Sequence, residues 1–376
     1  FTALCNKILM IDYLIVGAGF YGATVAKSLY QRGKTVVVLE KDQRVGGHAQ
    51  TESMDGILIH KYGPHVFHTS EDRIWHFVTK FADFNNYQLK VKVNYKDQLF
   101  SFPINLLTLH QVYGVTNPED ARKAIQNDIV PNETPKNFEE AALASVGKRL
   151  YEIFYHGYTS KQWGCDPKEL SPTLFNRLPI RLNFHDGYFT KYRDKYQGVP
   201  ICGYTELVER ILDGVPVIQG DYLENKSFWK RQARKIIFTG PPDALFDYTY
   251  GVLPYRSLRF EHEIYNVADY QGSAVINYTD KSVPWTRITE HKHFDAERYA
   301  SGSYTKTIIT KEFPTEYKAG GEAFYPINNV GNNATFERYK ALAEKEGYLL
   351  GGRLGMYKYL DMDQTIANAL ELVESL

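Results

Sequence analysis

The chain has 376 residues, long enough for two or three domains. Lys plus Arg and Asp plus Glu balance at 44 each, so charge gives no reason to expect nucleic acid or a membrane surface as a partner. Cys5, Cys165 and Cys202 are odd in number and widely spaced, and no CxxC, HExxH or apolar run of membrane-spanning length occurs; this points to a reducing, cytoplasmic setting without a disulfide framework, zinc site or transmembrane segment.

Residues 1–9 precede Met10, and the folding pattern begins just after it, so Met10 is read as the start and 1–9 as an extension. The apolar run 13–16 reads as a strand that stops at Gly17-Ala18-Gly19, with Gly22 three residues on. Ala26 and Leu29 then recur at helical spacing until Gly33, and a second apolar run, 36–39, ends at Glu40. Strand, glycine turn, helix, strand and acid in this order form the dinucleotide-binding βαβ unit. Gly17 permits the tight turn, Gly19 lets a pyrophosphate approach the backbone, and Gly22 lets the helix pack close to the strand. The helix N-terminus offers unpaired N–H groups to the phosphates, and Glu40 can accept bonds from unphosphorylated ribose. The continuation through Lys41 to Gly46-Gly47 resembles FAD-binding flavoproteins of the glutathione-reductase-like superfamily.

Residues 51–59 predict a strand pair around Asp55-Gly56, and 60–69 a loop carrying His60, His65 and His68. A metal would want a further ligand at a defined offset, and none is evident. A histidine beside a flavin, or one buried and bonded to backbone, fits better. Residues 71–84 predict a helix, and 89–102 a hairpin around Lys96-Asp97. From 105 to about 175 the pattern is helical, with one helix over 137–146, another from 147 to 158, and the block Gly157-Tyr158-Thr159-Ser160-Lys161-Gln162-Trp163-Gly164 following. A helix is predicted at 203–212, with short buried strands at 215–218 and 235–239; the latter returns the chain to the first domain. Residues 265–278, 286–291 and 304–310 read as strands of an antiparallel sheet that takes in the hairpin. A strand at 348–351 and a helix over 363–376 close the chain.

The runs GAGFYGA, YGPHVFHT, FSFPIN, GYTSKQWG, RLPIR, QGVP, LPYRSL, VPWTRITEHKHF, FYPIN and GGRLGMYKYLDMDQTIANAL, in this order from Met10 to near the C-terminus, resemble the UDP-galactopyranose mutase family of the bacterial type. The resemblance implies an α/β fold: a Rossmann-like, glutathione-reductase-like FAD-binding domain (10–85, 195–250 and 340–376), a helical substrate or lid insertion (104–185) and an antiparallel sheet domain (86–103 and 251–339). It also implies interconversion of UDP-galactopyranose and UDP-galactofuranose without net redox, through a covalent adduct between N5 of reduced flavin and the sugar. UDP-galactose would be the substrate, a nicotinamide or flavin donor the reductant, and a homodimer the assembly.

Carried over by motif, Arg177 and Arg353 match the family's two central arginines, whose planar guanidinium suits a leaving pyrophosphate. Arg287 matches a third substrate contact and Arg256 a nearby conformational position. Phe154, Tyr158, Thr159 and Trp163 match the uridine side, Trp163 near a lid; core packing along one helix face is the other reading of Phe154 and Tyr158. Tyr188, Tyr325 and Tyr359 match phenols of the diphosphate and sugar site, Asn277 a uridine or sugar contact, and Glu312 and Asp361 acids near the sugar. His65 is carried over as a catalytic and cofactor residue. For FAD the resemblance gives Gly17, Gly19, Phe20, Gly22, Glu40, Lys41, Gly47, His48, His65, Val66, Tyr222, Arg353, Leu360, Asp361, Met362, Asp363, Gln364 and Thr365.

This sequence departs from the family pattern in three places. Leu89 stands where a polar residue is usual, His48 replaces the Asn of the GGN turn, and the spacer after Phe189 is about three residues longer, which leaves Tyr188 and Tyr192 as alternatives. The competing reading is an amine-oxidase-like, FAD-dependent oxidoreductase, which has no use for paired pyrophosphate arginines or a uridine block.

Overall fold

The computed structural model describes residues 10–175, 180–189 and 194–376. Its organising sheet is parallel and five-stranded, in the order Tyr348–Leu350, Ala233–Phe238, Ile11–Val16, Val36–Glu40, Val217–Gln219. Parallel sheets are covered on both faces, and the central strands Ile11–Val16 and Val36–Glu40 are accordingly rich in apolar residues, whereas the edge strand Val217–Gln219 is exposed, against the buried strand expected at 215–218. Successive side chains serve two cores: Tyr13, Ile15, Val36, Val38 and Ile237 face one, and Leu14, Leu39, Ile236, Phe238 and Tyr348 the other. On the first face lies the helix Phe20–Gln31, which packs against the C-terminal helix Met362–Ser375 and against Tyr204–Ile211.

The second sheet has seven strands, in the order Tyr325–Pro326, Tyr255–Tyr265, Thr307–Glu316, Arg287–Glu290, Val275–Tyr278, Val91–Tyr95, Gln98–Phe102. All neighbours are antiparallel except Val275–Tyr278 with Val91–Tyr95. The predicted hairpin is present, and Lys96 and Asp97 take positive φ (50° and 62°) in its two-residue turn. Between the hairpin and residue 175 the chain is helical, with Leu106–Tyr113, Pro118–Asp128 and Phe138–Val146 each capped by an Asn side chain. The expected helix after Gly147 is a short α-turn, a π-helical stretch Tyr151–His156, and the α-helix Gly157–Trp163. Among the described residues no helix is long and apolar enough to cross a membrane.

Several expectations are corrected. The run 265–278 is not one strand: Tyr255–Tyr265 ends there, and the connection to Val275–Tyr278 turns where the Tyr270 and Gln271 N–H groups donate to the Glu290 carboxylate, both at 2.9 Å. The strand expected at 304–310 is Thr307–Glu316. The loop 60–69 gives strand at both ends, His60 closing Ile57–His60 and Phe67–Thr69 pairing with Tyr196–Gly198. The helix Val330–Lys345, capped by Asn329, has no counterpart in the sequence reading.

Candidate active site

The glycine turn is built as its spacing requires. Gly17 has φ +101° and lies so close to Thr239 that a Cβ would sit 2.1 Å from its Oγ1; at Gly22 a Cβ would meet the Gly17 carbonyl at 1.9 Å. Gly19 is different: a Cβ there would find only the Gly47 Cα, at 3.9 Å, within 4 Å. Gly19 is also the N-cap of Phe20–Gln31, with no side-chain cap. Space at Gly19, the facing backbone of Gly47 and uncapped helix N–H groups together fit a pyrophosphate. Glu40 ends its strand buried, one oxygen accepting from the Ala18 N–H (2.5 Å) and the other from Asp42 N–H (2.9 Å). Burial raises its pKa and these two N–H groups act against that. Each oxygen keeps a lone pair for a ribose hydroxyl. Lys41 is exposed beside it.

His65 lies in the turn that joins Ile57–His60 to Phe67–Thr69. Its Nδ1 is 2.8 Å from the Gly63 carbonyl, so Nδ1 carries the proton and Nε2 is the acceptor. Its carbonyl accepts from the Tyr204 hydroxyl (3.1 Å), and its N–H donates to His60 Nδ1 (3.0 Å). Burial, then Arg353, pull its pKa down to about 4, with Arg287 and His48 adding to the effect. Phe20 and Val66 are buried against this corner, with the Phe20 ring edge-on to Tyr204. His48 stacks on Phe324 (4.3 Å, 17°), and its Nε2 lies 2.8 Å from Glu322.

Arg353 is on the short helix Gly352–Gly355, and its Nε and Nη2 donate to the Leu360 carbonyl at 3.1 and 2.6 Å. That carbonyl aims the guanidinium over the rings of Tyr359 (5.0 Å) and Tyr325 (5.7 Å), which stack on each other at 5.5 Å. The run Leu360 to Thr365 follows, with Asp361 as N-cap of Met362–Ser375 and Gln364 reaching back to the Asp361 N–H at 3.0 Å. Met362 packs on the main core, and burial raises the Asp363 pKa.

Arg287 comes from the other sheet. It donates to Asn277 Oδ1 (3.1 Å), the Tyr158 hydroxyl oxygen (3.3 Å) and, at 3.5 Å, to Glu312. Burial disfavours its charge, but Glu312 and the surrounding phenols outweigh this and raise its pKa. Burial raises the Tyr158 pKa, with Arg287 opposing. The structure therefore brings Tyr158, Asn277, Arg287, Glu312, Tyr325, Arg353, Tyr359 and His65 into one charged and phenolic cleft beside the nucleotide cradle. Glu312 also approaches Gly63, where a Cβ would lie 3.1 Å from its Oε2.

Other expected residues lie around this group or apart from it. Phe154 is a core residue, packed between Phe100 (5.5 Å) and Phe102 (6.0 Å), and Tyr188 extends that aromatic row towards Arg287, whose charge it helps to favour. Thr159 is buried, and Trp163 ends its helix before Gly164. Arg256 is buried under that helix, its Nε donating to the Gln162 carbonyl at 2.8 Å. Tyr222 is corrected: it is 1% exposed in the second core, with its hydroxyl 2.8 Å from that of Tyr348. Arg177 and Tyr192 lie outside the described residues. Leu89 packs, partly buried, on the main core, and its carbonyl accepts from the Tyr188 N–H at 2.7 Å. Sequence reasoning missed Tyr204; a tyrosine one residue after a glycine that precedes a helix was the available signal.

Comparison with known proteins bears on the family and the fold. Residues 153–359 match the sequence model of the family GLF, UDP-galactopyranose mutase, and residues 15–81 match the NAD(P)-binding Rossmann-like domain. The chain is 40% identical to a probable UDP-galactopyranose mutase of Klebsiella pneumoniae, over 96% of this chain and 94% of that one. It is 37% identical to a dTDP-fucopyranose mutase of Escherichia coli, covering 97% and 98%. A crystal structure of reduced UDP-galactopyranose mutase superposes with a TM-score of 0.75 at 16% identity, covering 97% and 95%, which bears on the fold. The chain is an α/β isomerase that belongs to the UDP-galactopyranose mutase family.

Proposed function

We propose that the protein interconverts UDP-α-D-galactopyranose and UDP-α-D-galactofuranose, with FAD held in the Gly19–Gly47 cradle and reduced by a nicotinamide or flavin donor. The observation that carries this reading is the convergence of Arg287, on a strand of the seven-stranded sheet, and Arg353, on the short helix that follows Tyr348–Leu350, on both His65 and Tyr325. A pair of fixed positive charges beside a nucleotide cradle suits a diphosphate that must be held as it leaves and returns. Bound and reduced, FAD supplies an electron-rich nucleophile for the anomeric carbon.

The chain's own residues bind and orient. Arg353, aimed by the Leu360 carbonyl, takes phosphate oxygens, with Arg177 as its proposed counterpart. Tyr325 and Tyr359 line the sugar and diphosphate. Tyr158, Thr159 and Asn277 take the uridine side, and the Phe102–Phe154–Tyr188 row walls it. His65, neutral at pH 7, offers an acceptor nitrogen rather than a third positive charge. Cytoplasmic location and a homodimer complete the reading.

The 37% identity to a dTDP-fucopyranose mutase favours a second reading, the same ring exchange on a dTDP-6-deoxyhexose. Dithionite-reduced protein is to be offered UDP-galactofuranose and dTDP-fucofuranose separately, with products resolved by chromatography. Conversion of the first to the pyranose, without net electron consumption, is the expected result. Preference for the second decides for the alternative substrate. Substrate-dependent bleaching of oxidised flavin instead would mean an oxidoreductase.

A further inference from the structure

One half-buried cation has no part in the chemistry above. Lys161, in the helix Gly157–Trp163, places its ammonium against four backbone carbonyls: Tyr278 (2.7 Å), Asp280 (2.8 Å), Trp285 (2.9 Å) and Val283 (3.0 Å). The connection that supplies them joins Val275–Tyr278, which carries Asn277, to Arg287–Glu290, which carries Arg287. Turned inward around Asp280, whose carboxylate accepts the Ser282 N–H at 2.9 Å, it forms a ready cation cradle.

The helical segment meets this connection at three points four residues apart. The Ile153 carbonyl accepts from Thr279 Oγ1 at 2.6 Å. Gly157 is so close that a Cβ would lie 2.1 Å from the Thr279 carbonyl. Lys161 is the third. Residues four apart share a helix face. One position further on, Phe154, Tyr158 and Gln162 form the adjoining face, turned to the aromatic row, Arg287 and Arg256. The two faces are rigidly linked, so whatever fixes the first sets where Tyr158 stands.

We propose that Lys161 is a positioning residue, whose ammonium plugs the carbonyl cradle of residues 278–285 and so fixes Tyr158 in register with Arg287 and Asn277 for nucleotide binding. The proposal rests on the nucleotide-sugar reading above. An ammonium suits the task because its three protons diverge from one nitrogen into the ring of four carbonyls, two of which share a proton; a guanidinium spreads its donors in a plane.

The test uses the FAD-bound protein and UDP as probe. Lys161→Ala should keep its flavin, weaken UDP binding about tenfold and raise the substrate KM similarly, with kcat within about threefold of wild type. Propylammonium, which restores charge and bulk to the cradle, should recover much of the UDP affinity; propanol, which restores bulk alone, should not. Unchanged UDP affinity, or equal recovery with propanol, overturns the proposal. Should Lys161→Ala not fold, Lys161→Arg gives the same reading: weaker UDP binding supports the proposal, and wild-type affinity overturns it. Wild-type protein that fails to bind UDP overturns the nucleotide-sugar reading and this inference with it. Wild-type binding that the variants leave untouched overturns this inference alone.

Discussion

Arg287 Nη2 lies 3.3 Å from the phenol oxygen of Tyr158, a bond that ties the seven-stranded sheet to the helix Gly157–Trp163 across the cleft. The same guanidinium holds Asn277 and Glu312, so three side chains take their places from one cation. Arg287→Lys keeps the charge but cannot serve three directions at once. It should lower kcat/KM by about 10²-fold while flavin content stays at one per chain. Steady-state kinetics beside flavin absorbance checks this, and a kcat/KM near wild type would remove Arg287 from the site.

Arg353 is aimed by a backbone carbonyl and, among the described residues, forms no ion pair with an acid, so its charge is available to an anion. Arg353→Ala should give folded, yellow protein whose turnover falls by about 10²-fold or more. Retained turnover in the UDP-galactofuranose assay would contradict its assignment.

Glu40 joins the glycine turn to the end of the second strand through Ala18 and Asp42. Glu40→Gln replaces one acceptor oxygen by a donor, which cannot face an N–H group. One turn bond is then lost at a cost of about 1–3 kcal/mol. Flavin retained after gel filtration should drop well below one per chain, and added FAD should raise the variant's Tm more than the wild type's.

Two buried histidines set an acid limit on stability. His60 N–H donates to His291 Nδ1 (3.1 Å), and His291 Nε2 meets Thr310 Oγ1 at 2.5 Å. Burial lowers the pKa of both, His291 to about 3. An unfolded histidine takes up its proton near ~6.5. Between that value and the lower folded value the unfolded chain binds more protons, so stability is full above about 6.5 and declines as pH falls. Each histidine adds a slope of about 1.4 kcal/mol per pH unit in that window. Urea titrations from pH 7 to 5 should show the decline, and His291→Gln should flatten it by one such increment. An identical slope in the variant would mean that His291 titrates normally in the folded protein.

What could be read from the sequence follows the range over which each feature is determined. The βαβ unit was legible because the glycine spacing, the helix and Glu40 interact within thirty-odd residues and their purposes are steric. The strand Tyr255–Tyr265 was not, because its second half is only partly buried and mixes charged residues with apolar ones. The helix Val330–Lys345 begins in Val-Gly-Asn-Asn, poor helix formers that its Asn329 cap offsets. Arg353, Arg287 and Tyr158 came from motif resemblance, and the structure brings them together. Tyr222 came the same way, but its environment is set by Tyr348, 126 positions along, and no local pattern announces that. Lys161 escaped notice for the same reason, since its nearest carbonyl partner is 117 positions away.

The parallel sheet has a consequence for biosynthesis. Its middle strand comes from the beginning of the chain, while the flanking Ala233–Phe238 and the outermost Tyr348–Leu350 come from far downstream. On the ribosome the early βαβ unit, complete at Glu40, must wait with one apolar edge unpaired until the chain has been made as far as Phe238. Chaperone dependence during translation, and insolubility of fragments ending before residue 348, should accompany this connectivity.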